Sequence, residues 1–189
     1  MPRTELHADP AGVFLHGAIL EACRRHPRAV ALVDLSAERR VTNAEYGELV
    51  ERLARGLVAA GLQPNQVLAL YLANSWEFCA AFHAANLAGA VPTPLNPSYR
   101  EREVRFQLED SGAAFLITDG DLIHDVNLAG LPALRRVYTT RRPAPGTEAF
   151  SRLLEPTSVS LAQPAAGPED LLAALPYSSG TTGLPKGVM

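Results

Sequence analysis

The chain has 189 residues, of which 47 % are apolar and 20 % charged, and a formal net charge of −3. This composition supports a packed core but has no apolar run near the ~20 residues that a membrane-spanning helix needs, and Met1-Pro2-Arg3-Thr4-Glu5-Leu6-His7 lacks the apolar centre of a secretion signal, so a cytoplasmic chain with no membrane span is expected. A mildly acidic balance without a basic cluster excludes an electrostatic footprint for nucleic acid.

From the amino terminus, residues 1–11 read as a flexible lead. Asp9-Pro10 is a cap and first-turn proline for a helix that Pro27 stops, with Phe14, Ala18 and Ala22 beside Leu15, Ile19 and Cys23 on one face. Ala29 to Leu35 has the make-up of a short buried strand, and Ser36 to Arg40 that of a polar turn. Val41 is a second short strand or runs directly into Thr42, whose spacing to Glu45 fits a capping box. Tyr46, Leu49, Val50, Leu53, Leu57 and Val58 recur at helical spacing up to a stop at Gly61. Val67 to Leu72 is apolar on both faces, as a central parallel strand is.

Asn74 or Ser75 caps the next helix, whose packed stripe is Phe78, Ala81, Phe82 and Ala85 before Gly89. Ala90 to Leu95 returns as a strand, which Pro92 and Pro94 confine to a sheet edge or an irregular extended segment. Arg100 to Ser111 reads as a charged amphipathic helix with Val104, Phe106 and Leu108, and Ala113 to Thr118 as an inner strand. A short helix from Asp121 to Leu128 and a strand from Arg136 to Thr140 follow. Prolines, alanines and small polar residues make 141–168 a long surface connection, broken by a short helix around Phe150 to Leu154. The alternation predicts an α/β fold with a mainly parallel sheet flanked by helices.

Most chemistry-bearing residues have plain structural readings. His7, His16, His26, His83 and His124 show no metal spacing, and His83, on an apolar helix, reads as a packed or surface histidine. Cys23 and Cys79 read as buried thiols without C-x-x-C spacing. Asp119 and Asp121 around Gly120 fit a turn and a helix cap better than a metal pair. Trp76 reads as packing, and Arg24-Arg25 as a helix end that complements the dipole. No metal ligand and no catalytic residue is assigned within the chain.

One segment is different. Between residues 177 and 187, in Tyr177-Ser178-Ser179-Gly180-Thr181-Thr182-Gly183-Leu184-Pro185-Lys186-Gly187, hydroxyl side chains, glycines and one lysine crowd together. Gly180 and Gly183 allow backbone angles that turn successive N–H groups toward an anion. Ser178, Ser179, Thr181 and Thr182 add hydroxyl donors for phosphate oxygens, and Lys186 adds a compact positive charge. The spacing does not fit a Walker A loop, because Pro185 stands where its second glycine belongs, and no G-x-G-x-x-G occurs. The apolar run Leu171-Leu172-Ala173-Ala174-Leu175 before it and the strand-like Lys186 to Met189 after it argue against a flexible linker.

The stretch Leu175 to Met189 resembles the signature loop of the adenylate-forming superfamily, which includes acyl-CoA synthetases, 4-coumarate–CoA ligases, beetle luciferases and peptide-synthetase adenylation domains. The Ser178-Ser179 pair after Tyr177 and Pro176 is more similar to the 4-coumarate–CoA ligase and luciferase branch. Upstream, Val41 to Leu49 resembles the family's Thr-Tyr-x-Glu-Leu helix start, with Tyr46 displaced, and Gly61 to Val67 its Gly-Asp turn, with Asn65-Gln66 in place of Gly-Asp. Asn74-Ser75-Trp76-Glu77, Ala88 to Val91, Pro94 to Tyr99 and Asp110 to Ala113 resemble its next landmarks, so the likeness runs over residues 12–189.

The resemblance implies the first subdomain of the large N-terminal domain of an adenylate-forming enzyme, incomplete, and an ATP-dependent carboxylic acid–CoA ligase. Such an enzyme joins a carboxylic acid to AMP, expels pyrophosphate, and passes the acyl group to coenzyme A. Ser178, Ser179, Gly180, Thr181, Thr182, Gly183 and Lys186 are then expected to hold the ATP phosphates with Mg²⁺ nearby. The family's adenine and acid pocket, ribose-binding Asp, hinge and C-terminal lysine have no counterpart here, so an N-terminal fragment inactive by itself is expected. A sheet edge left open at its truncated face makes self-association expected. A split enzyme completed by another chain and a non-catalytic nucleotide- or partner-binding module stay open beside it.

Overall fold

The structure, a computed structural model, describes residues 14–161, 171–179 and 185–188. Its centre is a five-stranded parallel sheet in the order β4-β3-β5-β6-β7, built from β3 (Val67–Tyr71), β4 (Val91–Pro94), β5 (Ala113–Asp119), β6 (Arg136–Thr140) and β7 (Glu148–Ala149). An α/β fold with a mainly parallel sheet is therefore what the chain adopts. Parallel sheets need cover on both faces. Here Leu68, Leu70, Phe115 and Ile117 pack on one side with α1 (Leu15–Arg25), α2 (Asn43–Ala59) and α3 (Trp76–Leu87). Ala69, Tyr71 and Leu116 pack on the other with α4 (Glu101–Asp110) and α5 (Gly120–Ile123). The alternation along β3 and β5 thus sorts side chains between two cores.

The local signals explain most boundaries. Thr42 and Glu45 form the expected capping box, with Glu45 N–H donating to Thr42 Oγ1 at 3.3 Å and Thr42 N–H to Glu45 Oε2 at 2.7 Å. Gly61 ends the α2 segment at φ +97° and Gly89 ends the α3 segment at φ +75°, angles that side chains oppose. Ser75 caps α3 by accepting from Phe78 N–H, and Asp119 caps α5 by accepting from Asp121 N–H. His83 is packed, its Nδ1 2.6 Å from the Tyr46 hydroxyl, and burial lowers its pKa. Arg24 and Arg25 occupy the last turn of α1.

Several expectations are corrected. The first helix buries Leu20 and Cys23, while Ala18 and Ala22 face solvent; the start at Asp9-Pro10 lies outside the described residues. Strand β1 (Val30–Asp34) is not buried, because among the described residues it pairs only with β2 (Arg39–Thr42), in a separate antiparallel hairpin that leaves Val33 48 % and Leu35 86 % exposed. Asp34 holds that hairpin to α3, accepting from Ser36 N–H and hydroxyl, Ala37 N–H and Trp76 N–H. Cys79 is half-buried rather than buried. Helix α5 is a single turn and stops at Ile123, well short of Leu128. The connection after β6 is only partly superficial: its 3₁₀ turn Phe150–Leu154 buries Phe150 and Leu153 against α2. A Cβ on Gly56 would lie 1.9 Å from the Leu153 carbonyl oxygen, so that contact requires glycine. Residues 1–11 and 162–168 of the expected flexible lead and connection lie outside the described residues.

Candidate functional site

The hydroxyl- and glycine-rich segment forms an antiparallel pair, β8 (Tyr177–Ser179) and β9 (Pro185–Gly187), in which Tyr177 faces Gly187, Ser178 faces Lys186 and Ser179 faces Pro185. Val188 N–H continues the pairing by donating to the Pro176 carbonyl at 2.9 Å. Directly opposed residues share a face of the ribbon, and neighbours alternate between faces. Ser178 and Lys186 therefore lie together on one face, both exposed to solvent. Ser179 has its place in the β8 backbone, and Gly180, Thr181, Thr182 and Gly183 lie outside the described residues. Lys186 is the single lysine of the chain, every other strongly basic side chain being an arginine.

The opposite face packs against the molecule. A Cβ on Gly187 would sit 3.3 Å from Tyr177 Cζ and 3.4 Å from Leu175 Cδ1, so the missing side chain leaves room for the tyrosine ring. The ring ends on α4, where the Tyr177 hydroxyl donates to Asp110 Oδ2 at 2.6 Å. Burial, followed by that hydrogen bond and the carboxylate charge, pushes the Tyr177 pKa above the usual phenol range. The hydroxyl thus remains a donor through neutral pH.

Just before the hairpin, Leu175 runs along the outer edge of β4. Val91 N–H and Leu95 N–H donate to Gln66 and Leu70 carbonyls at the β3 side, so the residues between them at even positions point their backbone outward. Those residues are Pro92 and Pro94, which have no N–H to offer. The edge therefore presents only carbonyls, and both are taken: Pro92 O accepts from Leu175 N–H at 3.0 Å, and Pro94 O from Gln107 Nε2 at 3.0 Å. Thr93 supplies the donor that the backbone lacks. Its hydroxyl donates to the Leu175 carbonyl at 2.7 Å and accepts from Gln107 Nε2 at 2.9 Å. These bonds fix the Gln107 amide with both N–H groups engaged and leave Oε1 buried without a partner among the described residues.

Sequence reasoning names the loop but not the residues that hold it. Thr93 lies 82 positions from Leu175 and Asp110 lies 67 from Tyr177, beyond the reach of any local pattern. The one available signal is the Pro-Thr-Pro triplet, which strips donors from an edge strand and leaves a hydroxyl between them. Among the described residues, no group of three or more His, Cys, Asp and Glu side chains is arranged to hold a metal ion. No helix of the described residues is long and apolar enough to cross a membrane.

Comparison with known proteins agrees over nearly the whole chain. The family model described as AMP-binding enzyme matches residues 19–189. The chain is 34% identical over 183 residues to 4-coumarate-CoA ligase 1 of Narcissus pseudonarcissus, covering 95% of this chain and 33% of that protein. It is 39% identical over 150 residues to 4-coumarate–CoA ligase 3 of Arabidopsis thaliana, covering 76% of this chain and 26% of that protein. Among solved structures, the anthranilate CoA ligase AuaEII in complex with anthranoyl-AMP superposes with a TM-score of 0.82 at 25% identity, over 95% of this chain and 35% of that one. The chain thus spans about a third of the length of the 4-coumarate–CoA ligase relatives it matches.

Proposed function

The chain belongs to the AMP-binding enzyme family, and from that premise we propose that it provides the ATP-phosphate-binding part of a carboxylic acid–CoA ligase. The reaction on this reading is carboxylate plus ATP to acyl-AMP and pyrophosphate, followed by transfer of the acyl group to the coenzyme A thiol. The observation that carries it is the β8–β9 pair, which sets the single lysine directly opposite Ser178 on a solvent-facing surface, on the two strands that flank residues 180–184. A carboxylate is already ionised at neutral pH, so the first attack needs no protein base. What it needs is alignment and neutralisation of charge on the phosphates.

In this role Lys186 supplies a positive charge to the β- and γ-phosphates. Ser178, Ser179, Thr181 and Thr182 supply hydroxyl donors, and Gly180 and Gly183 let backbone N–H groups approach. The donor set suits a polyphosphate carrying Mg²⁺, since it offers a cation and neutral donors to oxygens that the metal leaves free. A cytoplasmic location goes with the reading, because ATP and coenzyme A are held there.

The single lysine makes the test direct. An amine-reactive acetylating reagent modifies Lys186 and the α-amine alone, and peptide mass mapping separates the two. MgATP is expected to protect Lys186 with a midpoint on the order of millimolar, as a few charge-assisted contacts to a short loop allow. Adenosine without phosphates is expected to leave labelling unchanged. Equal labelling with and without MgATP sinks the assignment.

A further inference from the structure

We propose that Thr93, Gln107 and Asp110 are positioning residues for the phosphate-binding hairpin, and that α4 is the mount on which it is placed. The inference rests on the nucleotide reading above and adds residues that do not touch the nucleotide in it. Its basis is a pair of latches. Gln107 and Asp110 stand three positions apart on α4, which puts them on one helical face. Leu175 and Tyr177 stand two apart on the incoming segment, the spacing of one strand face. Gln107 reaches Leu175 through the Thr93 hydroxyl, and Asp110 reaches Tyr177 directly.

The two latches differ in kind. The Thr93–Gln107 latch is buried, with both residues at 0 % exposure, so each of its bonds is costly to leave unmade. The Tyr177–Asp110 latch lies nearer the surface but ends on a charged acceptor, which strengthens it. The edge offers little else. Beyond the Leu175 N–H bond to Pro92 O, proline leaves β4 without outward donors for a strand ladder. The hydroxyl of Thr93 is thus the only donor that β4's Pro-Thr-Pro run can offer to the incoming chain.

The test uses the full 189-residue chain and two readouts: hydrogen exchange at the Leu175 and Val188 amides, and MgATP protection of Lys186 from acetylation. Thr93→Val removes the hydroxyl while keeping the side-chain shape, and Thr93→Ser restores it. Tyr177→Phe cuts the second latch without touching the buried one, and serves if Thr93→Val compromises folding. Both Thr93→Val and Tyr177→Phe are expected to speed exchange at these amides about tenfold and to raise the MgATP protection midpoint about tenfold, the loss of one such hydrogen bond. Thr93→Ser is expected to return both to wild type. Unchanged exchange in both variants overturns the proposal, as does faster exchange with an unmoved MgATP midpoint. If wild-type Lys186 shows no MgATP protection at all, the nucleotide reading fails, and the exchange rates still decide whether α4 holds the hairpin.

Discussion

The five-stranded sheet and the β8–β9 hairpin are held by different physics. In the sheet, all seven residues of β5 are buried, and position follows from apolar area removed from water on both faces. In the hairpin, Ser178 and Lys186, the described residues of the proposed phosphate site, are exposed, and the placement rests on a few hydrogen bonds: one donated by Thr93, which Gln107 supports, and others accepted by Asp110 and Pro92. Burial is cumulative and non-directional, so its loss weakens the fold as a whole. A latch of a few polar bonds is directional, and one atom decides whether it closes. The fold and the site can therefore be damaged separately, which is a statement that mutations can contradict.

The largest effect is expected in the core. Phe115, fully buried on β5 and packed against Tyr138, should cost about 3–5 kcal/mol on truncation to alanine. Urea unfolding measures this, and a cost no larger than that of Tyr177→Phe would erase the contrast between the two regions. A smaller, pH-dependent effect is expected where the β1–β2 hairpin meets α3, because that junction is also polar. The Ser36 hydroxyl first, then the Ala37, Trp76 and Ser36 N–H groups, lower the Asp34 pKa to about 2 against the opposing effect of burial. A carboxylate whose folded pKa is depressed adds stability above its unfolded value of about 4, and that stability fades as pH falls through the folded value. Asp34→Asn should therefore flatten the loss of stability between pH 4 and pH 2 (about those values, by the same linkage) while Phe115→Ala leaves its shape alone. A mutant acid limb as steep as the wild type's would show that other carboxylates carry it.

The smallest effect on folding is expected at the residue most important to the proposed chemistry. Lys186 is exposed and forms no ion pair among the described residues, so Lys186→Ala should move stability by less than about 0.5 kcal/mol. Calorimetry with MgATP should show a weakening of roughly ten- to a hundredfold, the value of a charge-assisted hydrogen bond. Lost stability with retained nucleotide binding would reverse the assignment.

How far the chain can be read in advance follows the same division. Thr42 with Glu45, the glycines at 61 and 89, and the alternation in β3 and β5 are local signals with local consequences, and the structure agrees with each. The edge position of β4 is legible from Pro92 and Pro94 for the same reason. Strand β1 misleads because its apolar content is that of a buried strand, while among the described residues its only partner is β2 and nothing covers Val33 or Leu35. Asp121 to Leu128 reads as one helix, yet the helix ends at Ile123, and the residues beyond it take turns in which the Asn127 side chain accepts from Ala129 N–H. The residue types of the loop are the basis of the proposed phosphate reading, and Gly180 to Gly183 lie outside the described residues. The latches from α4 do not announce themselves, because hydrogen bonds between distant segments leave no period and no spacing.

The two prolines of β4 have a consequence for the order in which the molecule is made. During synthesis, residues up to β7 emerge before segment 175–188, which will dock on the β4 edge, so the sheet spends an interval with that side uncovered. An ordinary edge strand in that interval would recruit a strand from any neighbouring chain. With its outward N–H groups replaced by pyrrolidine rings, β4 can form no ladder with a stranger, yet it keeps the carbonyls and the single hydroxyl that its own later segment needs. On this side the edge waits with acceptors alone, so the delay between sheet and hairpin offers a foreign strand little to pair with.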